Sequence, residues 1–440
     1  MNEKKGIDSS EASREPRPVP GSYGMFPFIS AVRDRLDFHY FQGPDKYFES
    51  RIEKYGSTVI RINVPPGPFM APDSRVVAVL DAKSFPLGGF RVCAYLDPSE
   101  PTHAKVKQLL FNVLASRKDA VIPVFRSHFS SLLATVDSQL MLGGKSNFNT
   151  LSDTTCFEFL CDAYYGVLPS ASGLGTSGPA KAAKWLLWQL HPLVTLGLPI
   201  ILEELLLHMV HLPPFLVSGD YKALYKYFSA AASEALDEAE RLGLPREEAC
   251  HNLLFATVFN SYGAMKLLLP GILAHVAEAG EKFHRRLATE IRAAVADARG
   301  KVTMAAVEKM ELTKSAVLEV LRLDTPVKRQ FGRAKADLNI ESHDAVFAVK
   351  KGEILFGFLG EEGSKLLQYV YWSNGRETEN PSVDNKQCPG KNLAVLVGRL
   401  LLVEVFLRYD TFTADIAKGP AAPTVEFIGV TKASSGPDLA

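Results

Sequence analysis

The run Pro381-Ser-Val-Asp-Asn-Lys-Gln-Cys-Pro-Gly-Lys391, followed by the apolar stretch Asn392 to Tyr409, decides how the rest of this sequence is read. Leu393, Val395, Leu396, Val397, Leu400, Leu401, Leu402, Val403, Val405, Phe406 and Leu407 leave almost no polar face, so the stretch predicts a buried helix. Cys388 then stands just before its first turn, where free N–H groups and the positive end of the helix dipole favour a thiolate over a thiol. Pro389 and Gly390 suit a tight turn whose backbone comes close to the sulfur. A metal ligand and a buried structural cysteine are both open on this segment alone.

Around that segment the chain is an ordinary globule. Its 440 residues are 47% hydrophobic and 22% charged, with 49 basic residues balancing 49 acidic ones. Such a surface has no global field to attract a phosphate backbone, so nucleic acid is excluded as an expected partner. Five cysteines (Cys93, Cys156, Cys161, Cys250, Cys388) with no Cys-x-x-Cys pair argue against a disulfide framework and a zinc ribbon.

Pro16, Pro18, Pro20, Gly21 and Gly24 make the entry turn-rich, so residues 1–25 are expected to be a flexible segment ahead of one domain from 26 to 440. No targeting signal is legible there. Strand-type runs at Ser57–Val64 and Arg75–Leu80 predict an early hairpin. Helical periodicity follows near 103–115, 121–142, 153–163, 179–190, 220–242, 246–269, 280–298, 303–323 and 391–409. Leu338–Ile340, Ala345–Val349 and Ile354–Phe358 predict a second small sheet, and the class is mainly α with small β-sheets. Leu186 to Leu202 is uncharged but broken by Pro192, Gly197 and Pro199, so it should not span a bilayer. With its continuation to Val217 it suits contact with a membrane surface; a plain buried helix pair fits as well. Gly173-Leu-Gly-Thr-Ser-Gly178 fits a dinucleotide fingerprint only formally, since no apolar strand leads into it. His208 and His211 have no third metal ligand evident nearby.

Glu319-Val-Leu-Arg322 places a carboxylate and a guanidinium on one helix face. Together with the distant Cys-x-Gly it resembles the Glu-x-x-Arg element and haem loop of cytochrome P-450 proteins. Asn385-Lys-Gln-Cys-Pro-Gly390 resembles more closely the loop of the plant hydroperoxide-metabolising branch, the allene oxide synthases and hydroperoxide lyases. Tyr95-Leu-Asp-Pro-Ser-Glu-Pro101, Phe331-Gly-Arg-Ala-Lys335, Trp372-Ser-Asn-Gly375 and Phe259-Asn-Ser-Tyr-Gly263 carry the same likeness.

The resemblance implies a P-450-like fold holding haem b through the Cys388 thiolate. His103, Lys107 and Lys386 match positions for the haem propionates, and Glu319 with Arg322 forms the structural pair. It implies a fatty-acid hydroperoxide as substrate, homolysis of its O–O bond, and no O2, NADPH or reductase. No Asp or Glu lies between Cys250 and Pro270, so the acid–alcohol pair of an O2-activating enzyme is missing around Thr257. Asn260 stands there instead, a neutral amide able to donate to and accept from a hydroperoxide; a structural amide in a bent helix is the alternative.

Met265-Lys266 and the ending Thr431-Lys-Ala-Ser434 look like the synthase side of the branch. Hydroperoxide lyase, and a catalytically impaired haem- or lipid-binding relative, are the alternatives. The last is kept because two family segments look absent: a distal-pocket loop after Pro86, and the meander after Phe358 that would neighbour Arg322. The family suggests a plastid or plastid-membrane location, with cytosol the alternative.

Overall fold

A computed structural model describes residues 17–56, 60–63, 92–191, 195–208, 212–326, 329–342, 345–358, 370–373, 375–419 and 422–433. Helices dominate and the sheets have two or three strands, as the mainly α reading expects. The chain divides into two compact units, one of residues 1–79, 191–212 and 329–357, the other of 80–190, 213–328 and 358–440.

In the first unit, Ala345–Val349 pairs antiparallel with Leu338–Ser342 and parallel with Arg17–Pro18. Backbone pairing therefore starts at Arg17, inside the segment expected to be flexible, and Gly21 adds a bridge to Arg61. That bridge is the only β pairing in residues 60–63. The second half of the expected hairpin, and the junction after Pro86, lie outside the described residues. Ile354–Phe358 pairs with Arg329–Arg333 instead of joining its predicted neighbours. Two short helical pieces, Pro27–Phe41 and Ile200–His208, are tied by a buried cluster. Arg35 meets Glu204 at 2.7 Å, while the His39 and His208 rings stack at 4.1 Å. His208 also reaches Glu204 at 2.9 Å, so this histidine serves an ion-pair cluster; His211 is outside the described residues.

The second unit is built on two helices. Arg246–Leu254 continues through an eight-residue π-helical segment, Phe255–Tyr262, into Gly263–Asp297. Gly280, at φ 76°, breaks the last piece, while 270–279, expected to separate two helices, continue the helix through Pro270. Lys391–Arg408 is the second helix, and Leu400, Leu401, Leu402, Val403, Val405 and Phe406 are wholly buried along it. Its one buried acid, Glu404, is satisfied by Arg126 at 2.7 Å and Ser130 at 3.1 Å. Gly173–Gly178 forms tight turns ahead of the helix Gly178–Leu190, with no strand leading in.

Gly398 lets these elements meet: a Cβ there would stand 2.9 Å from Ile272 and 2.9 Å from Val317, on two other helices. Those side chains already sit in a filled core, so a larger residue must push them apart. Gly398→Val should lower unfolding free energy by about 2–3 kcal/mol, read as a fall in the denaturant midpoint. An unchanged midpoint would show that the helices have slack.

Candidate active site

The sulfur is positioned by a loop with little freedom left. Asn385 is its hub: Oδ1 accepts from the N–H of Ser382 (3.2 Å) and of Gln387 (3.1 Å), and Nδ2 donates to the Asn380 carbonyl at 3.0 Å. Gln387, buried, donates to the carbonyls of Arg376 (2.8 Å) and Glu379 (3.1 Å). Cys388 itself donates its backbone N–H to Trp372 at 3.1 Å, next to a bridge between Ser373 and Gln387. Gly375 makes room for this, because a Cβ there would fall 2.7 Å from the Gln387 side chain. The Trp372-Ser-Asn-Gly375 motif is thus a support for the cysteine loop.

Lys391, the first residue of the following helix, is buried and donates to the carbonyls of Glu377 and, at 2.6 Å, Glu379. Glu377 also receives the Trp372 indole N–H at 2.6 Å. Sequence reasoning missed Gln387, Lys391, Glu377 and the hub role of Asn385. Their partners are mostly backbone carbonyls, which leave no mark in residue types.

Cys388 lies two residues ahead of the N-cap Gly390, as its spacing predicts. The electrostatic expectation needs correcting. Burial pushes its thiol up, and this outweighs the Gly390 N–H and the Lys107 ammonium that pull it down. A helix end alone does not offset that burial here; coordination to a metal ion would favour the thiolate. A Cβ on Gly390 would approach Sγ only to 3.8 Å, ordinary contact, so sulfur clearance does not explain this glycine.

His103 and Lys107 lie one turn apart on the helix Pro101–Ser116, both buried. Lys107 donates to the Asn385 carbonyl and, at 3.0 Å, to Asn385 Oδ1. Burial first, then Lys386 and Lys107, lower the His103 pKa, and its Nδ1 has no partner among the described residues. Lys386 turns elsewhere. Its ammonium donates to the carbonyls of Cys93 (3.0 Å), Ala94 (2.9 Å) and Leu96 (2.8 Å), filling all three donors. Asn252 accepts the Cys93 N–H at 2.8 Å, so the same turn is gripped from the central helix.

Glu319 and Arg322 form a two-pronged pair at 2.7 and 2.8 Å, which holds the Glu319 carboxyl below its usual range. The residues that follow Phe358, where the family's meander is expected to be absent, lie outside the described residues. Asn260 sits in the π segment with its side chain exposed, and no group among the described residues claims its amide. Thr257 is buried, its hydroxyl 2.8 Å from that of Tyr165. A π segment widens the turn and commonly marks a working site.

Chemically, one soft sulfur ligand beside basic residues suits an iron porphyrin carrying carboxylates, since the porphyrin brings its own nitrogen ligands. A protein-only metal cluster is not built: among the described residues no three His, Cys, Asp or Glu gather as a ligand set. All five cysteines are free thiols.

No protein-family model matches the chain. It is 67% identical to allene oxide synthase 2 of Oryza sativa subsp. japonica over 468 aligned positions, covering 95% of this chain and 97% of that protein. It is 47% identical to chloroplastic allene oxide synthase 1 of Solanum lycopersicum, covering 96% and 88% of the two chains. The chloroplastic allene oxide synthase of Arabidopsis thaliana is 46% identical, with 95% and 89% covered.

Asn385→Ala removes the hub of the cysteine loop and leaves buried donors unmet. It should cost about 1–3 kcal/mol and speed hydrogen exchange at the Gln387 and Cys388 amides. Unchanged protection there would mean that the loop is held by other contacts.

Proposed function

The chain belongs to the allene oxide synthase family, and on that footing we propose that it converts polyunsaturated fatty-acid hydroperoxides of the 13-hydroperoxylinolenic type into allene oxides. This is a step of oxylipin and jasmonate biosynthesis that uses no O2, NADPH or reductase. The observation that carries the reading is Asn260, an exposed, unclaimed amide on a π-helical turn. Its neighbour Thr257 has its hydroxyl occupied by Tyr165, and no acid stands between Cys250 and Pro270. Proton delivery to O2 has no machinery there, whereas a substrate that already carries its oxygens needs only to be held.

The fold in this reading is P-450-like, with haem b gripped by Cys388. The haem would supply the one-electron iron chemistry that splits a peroxide O–O bond and takes the electron back. Asn260 orients the hydroperoxide by donating through Nδ2 and accepting through Oδ1. Gly390 steadies the sulfur through its N–H. Of the three expected propionate partners, His103 and Lys107 keep capacity for a carboxylate. A carboxylate at the open Nδ1 of His103 favours the imidazolium, and Lys107 has one N–H left beyond its two bonds to Asn385. Lys386, with every donor filled, is assigned to securing the Cys93–Leu96 turn.

The chain lacks two family segments in this account, after Pro86 and after Phe358. The alignment to the rice relative supports it: 95% of 440 residues fills only about 418 of 468 positions, leaving about fifty opposite gaps. That deficit keeps impaired activity as the second reading. Membrane contact is assigned to the 186–217 region. Ile201 is 77% exposed there, alongside Leu202, Leu205 and Leu206, and within the same unit Phe26, Ile29 and Phe41 are bare as well. The relatives named chloroplastic support a plastid location.

The test is turnover of a 13-hydroperoxy fatty acid by the haem-loaded chain, with loss of conjugated-diene absorbance and ketol or cyclopentenone products. Short aldehydes would mean lyase chemistry, and a haem-loaded chain that leaves the diene intact would mean an impaired relative. Asn260→Ala should keep the Soret band and lose about 10²-fold in kcat/KM, the scale of one positioned donor. Full activity in this variant would remove Asn260 from the site.

A further inference from the structure

The π segment that presents Asn260 is gripped from one side by two neighbouring tyrosines. Tyr164 and Tyr165 end the helix Phe148–Tyr165, and their hydroxyls reach Ser261 at 3.1 Å and Thr257 at 2.8 Å. Ser261 and Thr257 are four residues apart in the segment, with Asn260 between them. Both of these hydroxyls face the tyrosine helix, while the Asn260 side chain is exposed. We propose that Tyr164 and Tyr165 are positioning residues that hold the wide turn in register and thereby aim the Asn260 amide at the hydroperoxide.

Physical reasons favour a clamp over simple packing. A π turn gives up the ordinary helical hydrogen-bond register, so it persists where surrounding contacts over-determine it. The Tyr164 ring meets that of Tyr165 edge-on at 6.0 Å, and Tyr165 meets Phe228 at 5.8 Å, so neither phenol swings freely. Burial pushes the Tyr164 hydroxyl up to about 12, with Cys388 adding to the rise. The clamp thus stays a neutral hydrogen-bonding group at working pH, and it lies within electrostatic reach of the sulfur. Tyr165 is likewise pushed upward by burial.

This inference rests on the reading in which Asn260 touches substrate, and a double-mutant cycle separates the two. In the haem-loaded enzyme, Tyr164→Phe should lower kcat about tenfold with KM moving less than about twofold. The loss should vanish in an Asn260→Ala background, because the tyrosine has no amide left to aim. An unreactive hydroxy fatty acid, titrated by its ferric difference spectrum, should bind Tyr164→Phe within about twofold of the unaltered enzyme, and Asn260→Ala and the double variant equally weakly.

If Tyr164→Phe loses haem, Ser261→Ala removes the same bond from the helix side and carries the same expectations. Full kcat in the haem-retaining variant, or losses that multiply in the double variant, would overturn the clamp. A full-activity Asn260→Ala would overturn the underlying reading instead.

Discussion

A sulfur at the head of an apolar helix serves as a ligand only while the backbone around it is held still. In this chain side chains bonded to carbonyls do most of the holding. Gln387 and Lys391 each donate to two of them, on the strand side of the loop, and Asn385 fills the turn between. Each such bond has a modest net worth, but a buried group left unmet costs about 1–3 kcal/mol. The set therefore resists partial loss. The helix behind it cannot give way either, since its apolar faces are buried nearly all round.

The constraint extends beyond the loop along a continuous path. Lys386 holds the Cys93–Leu96 turn from the cysteine side, and Asn252 holds it from the central helix, one turn before the π segment begins. Lys107 joins the same loop to a third helix. The Cys388 sulfur and the wide turn carrying Asn260 thus belong to one hydrogen-bonded frame, in which a shift at either end meets resistance.

What was legible in the sequence were features written in residue types. Cys388 ahead of an apolar run gives the helix start, and Glu319 with Arg322 meets at the expected spacing. The π segment was hidden because eight mostly apolar residues read alike at either period. The hydroxyls that meet its Ser261 and Thr257 sit on another helix, at Tyr164 and Tyr165. Gln387 and Lys391 were hidden because carbonyl partners carry no sequence signature. The family resemblance suggested Lys386 for a carboxylate, and three backbone carbonyls take its donors in this structure.

The most direct test is the absorption spectrum and turnover of Cys388→Ser after haem loading, beside the unaltered chain. The account predicts that the serine chain loses the thiolate-type Soret band and consumes no hydroperoxide, while the unaltered chain shows the band and consumes the hydroperoxide. Pigment and turnover that survive the replacement would contradict it.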